Sequence, residues 1–247
     1  MHRLSSISTR APKDLDKKIV KEETIKLVEE LIELQNLLYA ERKHAVLIIF
    51  QGLDASGKDG VIKNVLGQIN PQGVRVESFK APNDKELSHD FLWRIHEHTP
   101  AKGMIQVFNR SHYEDVLITR VHKWCDDETA QLRFDAINQF EEMLMLHNNT
   151  QIFKFYLHIS QEEQQERLKE RLEDPAKNWK HNSNDKEEAK LWDKYMQMYE
   201  DVFEHCDAIP WTIVPADQNW YKENLIAKKL VDSLKDLDMK FPPLKEE

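Results

Sequence analysis

A chain of 247 residues is long enough for one large α/β domain, or for a domain with an inserted lid. Its 40% hydrophobic and 32% charged residues argue against wholesale disorder, and 6 Gly and 9 Pro exclude a collagen-like or low-complexity chain. The net charge of -9 argues against a broad nucleic-acid-binding surface, so a polyanionic substrate would need basic residues gathered in one cleft.

Neither a disulfide framework nor a membrane anchor is expected. The two cysteines, Cys125 and Cys206, form no CxxC pair, which fits a reducing compartment. The longest apolar run, residues 45–50, is too short to cross a bilayer, and the first residues open no signal-peptide core. We therefore expect a cytoplasmic protein that binds neither membranes nor nucleic acids.

Strands and helices alternate along most of the chain. Residues 13–43 carry apolar positions at steps of three and four, which predicts an amphipathic helix packed on the domain; a partner-binding helix is the alternative. The apolar run that follows is typical of a buried strand in a parallel sheet. Helices are predicted at 61–69 and 127–147, and further strands at 74–79, 104–108, 151–159 and 211–214. This alternation implies βαβ units and a parallel sheet of five strands.

Residues 161–200 differ from the rest because charged residues dominate them. We interpret them as two helices joined by a polar loop. They are either solvated surface helices or a mobile lid over an active site. We expect one domain over residues 1–247, with a helical N-terminal segment at 1–43 and a lid module at about 161–200.

A phosphate-binding motif follows the first strand. Residues 52–58 read Gly-Leu-Asp-Ala-Ser-Gly-Lys, the spacing G-x-x-x-x-G-K, and they open a helix. Such a loop can point backbone N–H groups at phosphate oxygens, and its lysine adds a positive charge. A strand–helix turn without a ligand is the alternative. The residues expected to contact phosphate here are Gly52, Ala55, Ser56, Gly57, Lys58, Asp59 and Gly60.

The motif departs from the usual pattern after its lysine. Asp59 stands where Ser or Thr ordinarily ligates Mg²⁺. Another carboxylate must then hold the metal, and Asp54, inside the loop, is the natural candidate. A carboxylate beside phosphates makes sense when a divalent cation lies between them.

Arginines in two other segments are expected to reach the same crevice. Arg110 follows the strand at 104–108, whose carboxyl end opens beside the loop in a parallel sheet. The alternative is a local pair between Arg110 and Glu114. Arg167 and Arg171 share one face of the first lid helix, where two guanidinium groups suit a phosphate chain. Ion pairs with acids such as Glu163 and Glu170 are the alternative.

Several other residues are weaker candidates. Lys80 and Arg94 fall where they could line the side of an acceptor nucleotide. His96 and His98 flank Glu97, but this spacing forms no H-E-x-x-H zinc motif, so surface roles are expected for them.

Taken together, these segments resemble the polyphosphate kinase 2 family. The likeness spans residues 26–234 and rests on these stretches: 38–43 (LYAERK), 51–60 (QGLDASGKDG), 70–73 (NPQG), 79–80 (FK), 89–94 (HDFLWR), 108–117 (FNRSHYEDVL), 175–180 (PAKNWK), 192–193 (WD) and 210–217 (PWTIVPAD). The resemblance implies a three-layer α/β P-loop kinase fold with a helical lid. It also implies phosphoryl transfer between inorganic polyphosphate and nucleotides with Mg²⁺, or Mn²⁺ in its place.

One position departs from many members of that family. They carry Asp-Arg-Ser in the second motif, whereas this chain has Asn109 before Arg110. The variant resembles the class III subgroup, which phosphorylates both AMP and ADP. It removes a carboxylate and shifts the expected metal-binding role onto Asp54.

The resulting expectation is a reversible polyphosphate-dependent nucleotide kinase that forms no covalent intermediate and assembles as a homo-oligomer. Its substrates would be polyphosphate, AMP, ADP and ATP. The expected catalytic residues are Asp54, Lys58 and Arg110. The polyphosphate channel would add Arg167 and Arg171, with Lys63 and Arg120, and the nucleotide would meet Lys80, Arg94, Asn109 and Glu114.

Two other functions remain open at this stage. An ATP-dependent kinase of thymidylate-kinase type shares the loop and an arginine-rich lid, and donor choice would distinguish it. A non-catalytic nucleotide-binding protein would bind without turnover. A GTPase is disfavoured because the chain has no N-K-x-D guanine motif.

Overall fold

Five parallel strands form one sheet in the computed structural model, which describes residues 3–244. They are β1 (Ala45–Gln51), β2 (Val74–Ser78), β3 (Ile105–Asn109), β4 (Thr150–His158) and β5 (Trp211–Pro215). Their spatial order is β2-β3-β1-β4-β5, so the first strand lies at the centre. The predicted five-stranded parallel sheet is confirmed. Residues 1–2 and 245–247 of the expected domain lie outside the described residues.

Helices cover both faces of this sheet, since all seven residues of β1 are buried. The helices are α1 (Lys17–Glu41), α2 (Lys58–Val61), α3 (Asp84–Leu87), α4 (Trp93–His96), α5 (Ile118–Val121), α6 (Asp127–Asn148), α7 (Gln161–Glu173), α8 (Asp185–Ala189), α9 (Trp192–His205) and α10 (Asn219–Lys235). A π-helical turn (Ile62–Leu66) continues α2. The short 3-10 turns are Leu4–Ser6, Pro71–Gly73, His112–Val116 and Asn178–Lys180.

The N-terminal helix is part of the domain core. Asp16 caps α1 by accepting hydrogen bonds from the Lys18 and Ile19 amides. The helix packs along α10 and buries leucines such as Leu31 and Leu38. This arrangement fits the prediction of a helix packed on the domain rather than one reserved for a partner. None of the helices within residues 3–244 combines the length and apolar character needed to span a bilayer.

The charged segment contains three helices rather than the two predicted, namely α7, α8 and α9. Its last helix belongs to the core: Tyr199, Val202 and Phe203 of α9 are buried, and Tyr199 packs on Tyr156 of β4. The exposed part of the expected lid is therefore α7, α8 and the turn between them. The predicted lid ended at about residue 200 and so divided α9, whose apolar residues begin before that position and continue beyond it.

The segment before α1 crosses the carboxyl end of β4. Leu4 is buried there, and its carbonyl oxygen and that of Ile7 lie 3.1 and 3.2 Å from Nε2 of His158. Thr9 forms two hydrogen bonds with Asp217, which precedes α10: its hydroxyl donates to the carboxylate (2.8 Å) and its carbonyl accepts from the amide (3.0 Å). The segment before α1 is thus tied to β4 and to the connection between β5 and α10, beside the central sheet.

A buried ion pair supports the turn after β3. Lys154 of β4 donates to Glu141 Oε2 of α6 and to the Tyr113 hydroxyl, each over 2.9 Å. The hydroxyl in turn donates to Glu141 Oε1 (2.8 Å). Burial raises the pKa of Glu141, but Lys154 and His112 outweigh that effect and hold the pKa below its ordinary value. The ionised pair therefore fixes the segment that carries Arg110.

Lys154→Met is expected to lower the free energy of unfolding by about 3–5 kcal/mol, because it leaves the Glu141 carboxylate buried without its cation. Urea denaturation measures this loss. Lys228→Met breaks the exposed Lys228–Asp232 pair (3.5 Å) and should change stability by less than about 1 kcal/mol. Equal effects of the two substitutions would contradict a supporting role for the buried pair.

Candidate active site

The phosphate loop occupies the connection from β1 to α2. Ala55 and Gly57 both adopt left-handed backbone conformations, with φ of 65° and 96°. At Gly57 the left-handed conformation favours glycine, and a side chain there would also displace the Lys222 ammonium. The strand–loop–helix placement predicted for the motif is observed.

Lys58 folds back onto the loop that precedes it. Its Nζ donates to the carbonyl oxygens of Gly52 (2.6 Å) and Leu53 (3.1 Å). Burial, together with the nearby Arg110 charge, lowers the pKa of Lys58 to about 8. The amine therefore remains mostly protonated at neutral pH. It lies at the rim of the phosphate loop.

Asp54 and Arg110 form an ion pair across the site, in which Arg110 Nη2 donates to Asp54 Oδ1. Burial raises the pKa of Asp54, but the charges of Arg110, Lys58 and Arg171 prevail and lower it. Asp54 is thus an ionised carboxylate. The local Arg110–Glu114 alternative is not what the structure shows. With its amide oriented to satisfy its neighbours, Gln51 donates to Glu114 over 3.0 Å.

Asp59 connects three elements. One of its carboxylate oxygens accepts from the Asn109 amide at the end of β3, and the other from Lys180 in the lid turn, both over 2.9 Å. Burial raises the pKa of Asp59, but these two hydrogen bonds lower it further than burial raises it. Asp59 therefore joins the first turn of α2 to the lid, and Asn109 supports it.

Arg167 commits all five of its N–H groups to protein acceptors. Nη1 donates to the carbonyls of Ala55 and Ser56, and Nη2 to those of Ala216 and Asp217, over 2.9–3.2 Å. Nε donates to Glu163 over 2.8 Å, which is the pair considered as an alternative from sequence. Arg167 therefore braces the phosphate loop against α7 and the start of α10.

Arg171, one turn further along α7, pairs differently from the alternative considered. It donates to Asp185 of α8 over 3.0 Å, while Glu170 accepts from Lys177 over 2.7 Å. Gln164, on the first turns of the same helix, donates to the Asp54 carbonyl over 3.1 Å. The lid helix thus contacts the phosphate loop at two points.

These segments enclose a cleft of about 800 Å³. It collects cationic side chains from five parts of the chain, although the chain as a whole carries a charge of -9. Seven cations outnumber the four carboxylates of the lining, Asp54, Asp59, Glu163 and Glu170, and an excess of positive charge between low-dielectric walls concentrates anions. The cations that line the cleft are Lys58, Lys80, Arg110, Arg167, Arg171, Lys177 and Lys180. The other predicted site residues in its lining are Asp54, Ala55, Gly57, Asp59, Gly60 and Asn109.

Six of the predicted residues lie outside this cleft lining. Arg120 points away from it, pairs with Asp127 (2.8 Å) and Asp201 (3.0 Å), and thereby joins α5 to α6 and α9. Lys63 is exposed on the π-helical turn. The structure therefore does not place these two residues in the cleft where the channel was expected, because the direction of a side chain depends on packing between helices.

Arg94 and Glu114 also lie behind the cleft rather than in it. Arg94 is buried, donates to the Lys80 carbonyl over 2.8 Å and lies 3.6 Å from Asp115. It therefore supports the segment that carries Lys80. Gly52 and Ser56 contribute backbone to the loop without lining the cavity.

Some site residues had no recognisable signal in the sequence. Lys222 and Gln164 reach the loop from helices more than 100 residues away along the chain, and Asn219 lines the cleft from the start of α10. Their contacts are non-local, so neither motif nor periodicity indicates them. Trp179 is 78% exposed and stands at the cleft wall.

The donor set suits a cation that also takes phosphate oxygens. Within residues 3–244 there is no group of three or more His, Cys, Asp or Glu side chains that could hold a metal unaided. Asp54 and Asp59 both line the cleft beside the loop. One or two carboxylates plus substrate phosphates is the set that Mg²⁺ usually takes, so these residues fit that ion.

The family model described as polyphosphate kinase 2 matches residues 14–242. The chain belongs to the polyphosphate kinase 2 family. A crystal structure titled polyphosphate kinase 2, from Arthrobacter aurescens TC1, superposes with a TM-score of 0.94 at 40% identity, covering 99% of this chain and 89% of that one. The family resemblance and the P-loop kinase fold expected from the sequence are confirmed.

Curated relatives agree with this assignment. An AMP/ADP-polyphosphate phosphotransferase of Meiothermus ruber is 46% identical over 214 residues, which cover 86% of this chain and 80% of the relative. An ADP-polyphosphate phosphotransferase of Rhodopseudomonas palustris is 44% identical over 229 residues, which cover 87% and 79%. The polyphosphate kinase 2 family therefore accounts for nearly the whole chain.

Lys180→Met is expected to speed amide hydrogen exchange in residues 175–185 by up to about fivefold, because a partly exposed ion pair contributes at most about 1 kcal/mol. The matched control is Lys177→Met, which breaks a pair within the lid itself. Exchange measured by mass spectrometry should rise only in the Lys180 variant. The same increase in both variants would contradict a connection through Asp59.

Proposed function

We propose that this protein transfers phosphoryl groups from inorganic polyphosphate to AMP and ADP, reversibly and with Mg²⁺. The observation that carries the proposal is the cleft of seven cationic side chains that closes on a phosphate loop in an acidic chain. Such a cleft favours a linear polyanion over a neutral substrate. The names of the relatives from Meiothermus ruber and Rhodopseudomonas palustris support the same donor and acceptors.

Catalysis in this proposal consists of positioning and charge neutralisation. The loop N–H groups and Lys58 receive the terminal phosphoryl group of the chain, and Arg110 offsets the charge that develops during transfer. Asp54 would hold Mg²⁺, or Mn²⁺ in its place, and the ion would neutralise phosphate charge. The acceptor's phosphate oxygen is already an anionic nucleophile, so no covalent enzyme intermediate is needed.

The acceptor nucleotide is proposed to lie on the side of the cleft formed after β2. Lys80, Phe79 and Ala81 line that side, and Arg94 holds the Lys80 carbonyl from behind. Asn109 presents an amide there rather than a carboxylate, which reduces the negative charge facing an incoming phosphate. Both AMP and ADP end in a phosphate that such a site can receive.

The setting of the reaction is proposed to be the cytoplasm. Cys125 and Cys206 are both free and buried, which suits a reducing compartment. Leu132 and Leu146 are about two-thirds exposed on α6, which supports the proposal that copies of the chain associate. Light scattering of the purified protein tests the homo-oligomer.

Purified protein incubated with Mg²⁺, long-chain polyphosphate and AMP is expected to form ADP and then ATP. Anion-exchange chromatography measures the three nucleotides over time. A parallel reaction supplies ATP as the donor instead of polyphosphate. Transfer from ATP alone would indicate an ordinary nucleotide kinase. Conversion of ADP without conversion of AMP would contradict the proposed acceptor range.

Asp54→Asn and Lys58→Ala are each expected to lower kcat by about 10²–10³, the usual cost of removing one preorganised electrostatic contact. Circular dichroism should show that both variants remain folded. Lys63→Ala should stay within about twofold of the original activity, because Lys63 is exposed outside the cleft lining. Near-normal turnover of the Asp54 or Lys58 variant would contradict the role given to that residue.

A further inference from the structure

The phosphate loop is held from behind by two cations. Its N–H groups can serve the cleft only while its carbonyl groups point the other way, into the protein. The Ser56 carbonyl accepts from Arg167 Nη1 (3.2 Å) and from Lys222 Nζ (3.1 Å). These two contacts fix the orientation of the peptide group that joins Ser56 to Gly57.

Lys222 reaches this position from the first turn of α10, and it is fully buried. Its ammonium also donates to Asn219 Oδ1 over 2.9 Å. It lies directly beneath Gly57, in the space that a side chain at Gly57 would otherwise fill. The two hydrogen-bond acceptors of Lys222, the Ser56 carbonyl and the Asn219 amide oxygen, are both neutral. Among the described residues, Lys222 takes part in no ion pair within 4 Å.

The charged groups that face Lys222 come from three elements. Arg167 and Glu163 face it from α7, Lys58 from α2, and Glu223 from its own helix. Burial and the charges of Arg167 and Lys58 outweigh the two carboxylates and lower the pKa of Lys222 to about 7. In the empty site a fraction of the molecules therefore carries an uncharged amine at neutral pH.

We propose that Lys222 positions the phosphate loop from behind and takes up a proton when the phosphate chain enters the cleft. The inference rests on the proposed function, since polyphosphate is the anion that occupies the loop. The proton comes from solvent and adds to the neutral ε-amine, so no other bond is made or broken. The bound anion stabilises the ammonium on the far side of a single layer of backbone.

The direction of the pH dependence follows from this linkage. Because the anion favours the protonated amine, the protonated enzyme binds polyphosphate more tightly. The affinity for polyphosphate should therefore fall as the pH rises through about 7, which is the pKa of Lys222 in the free enzyme.

The experiment compares the unmodified protein with Lys222→Met, Lys222→Gln and the control Lys229→Met, whose side chain is exposed on the same helix. Linear polyphosphate of defined length, without nucleotide, is titrated calorimetrically at pH 7 in two buffers of different ionisation enthalpy. The difference between the buffers gives the number of protons taken up. The unmodified protein should take up about half a proton more than either Lys222 variant, since a group at its pKa is half protonated.

Steady-state kinetics supply a second measurement. Lys222→Met should raise KM for polyphosphate about tenfold and change kcat less, because the loss falls on binding of the chain. The decline of kcat/KM between pH 6 and 8 should be shallower in this variant. Lys229→Met should match the unmodified protein in both properties.

A folded Lys222→Met variant with unchanged proton uptake and an unchanged pH profile would overturn the proposal. If that variant fails to fold, Lys222→Gln decides, because its amide can still donate to the Ser56 carbonyl without carrying a charge. A structural role alone would lower the melting temperature and leave the proton count as it was. Absence of nucleotide product with the unmodified protein would count against the proposed function instead, since the calorimetric comparison needs no turnover.

Discussion

The parallel pairing of β1 with its two neighbours is the constraint on which the whole site depends. Phe50 lies opposite Asn109 of β3 and Phe155 of β4, so three strands end at one edge of the sheet. The phosphate loop, the turn with Arg110 and the start of the lid all leave from that edge. A shift of one residue in this register would turn the side chains of β1 to the opposite faces and separate these segments.

Three of the cleft cations are held by protein acceptors that an incoming anion can replace. Lys58 rests on backbone carbonyls, Arg110 on Asp54, and Lys180 on Asp59. Each partner lowers the cost of gathering like charges in an empty site. Arg167 is different, because carbonyl groups of the loop itself and of the β5–α10 connection occupy four of its five N–H groups. It shapes the site rather than waiting to be displaced.

Local patterns in the sequence predicted the parts of the molecule that depend on neighbouring residues. The strand of residues 45–50, the glycine-lysine loop and the alternation of strands with helices all follow from short-range rules. The position of the Arg120 side chain does not follow from such rules, because its helix is only four residues long and its orientation depends on α6 and α9. Lys222 could not be recognised either, since its importance comes from a carbonyl 166 residues earlier.

The contact between the segment before α1 and the residue that precedes α10 has a consequence for synthesis. Thr9 bonds to Asp217 across 208 residues, and the Asp217 carbonyl in turn holds Arg167 against the phosphate loop. A growing chain therefore contains the loop long before it contains the groups that brace it. Until β5 and α10 have left the ribosome, the nascent protein presents β4 as an open sheet edge and a phosphate loop without its rear support, so the site can assemble only after residues 211–235 have emerged.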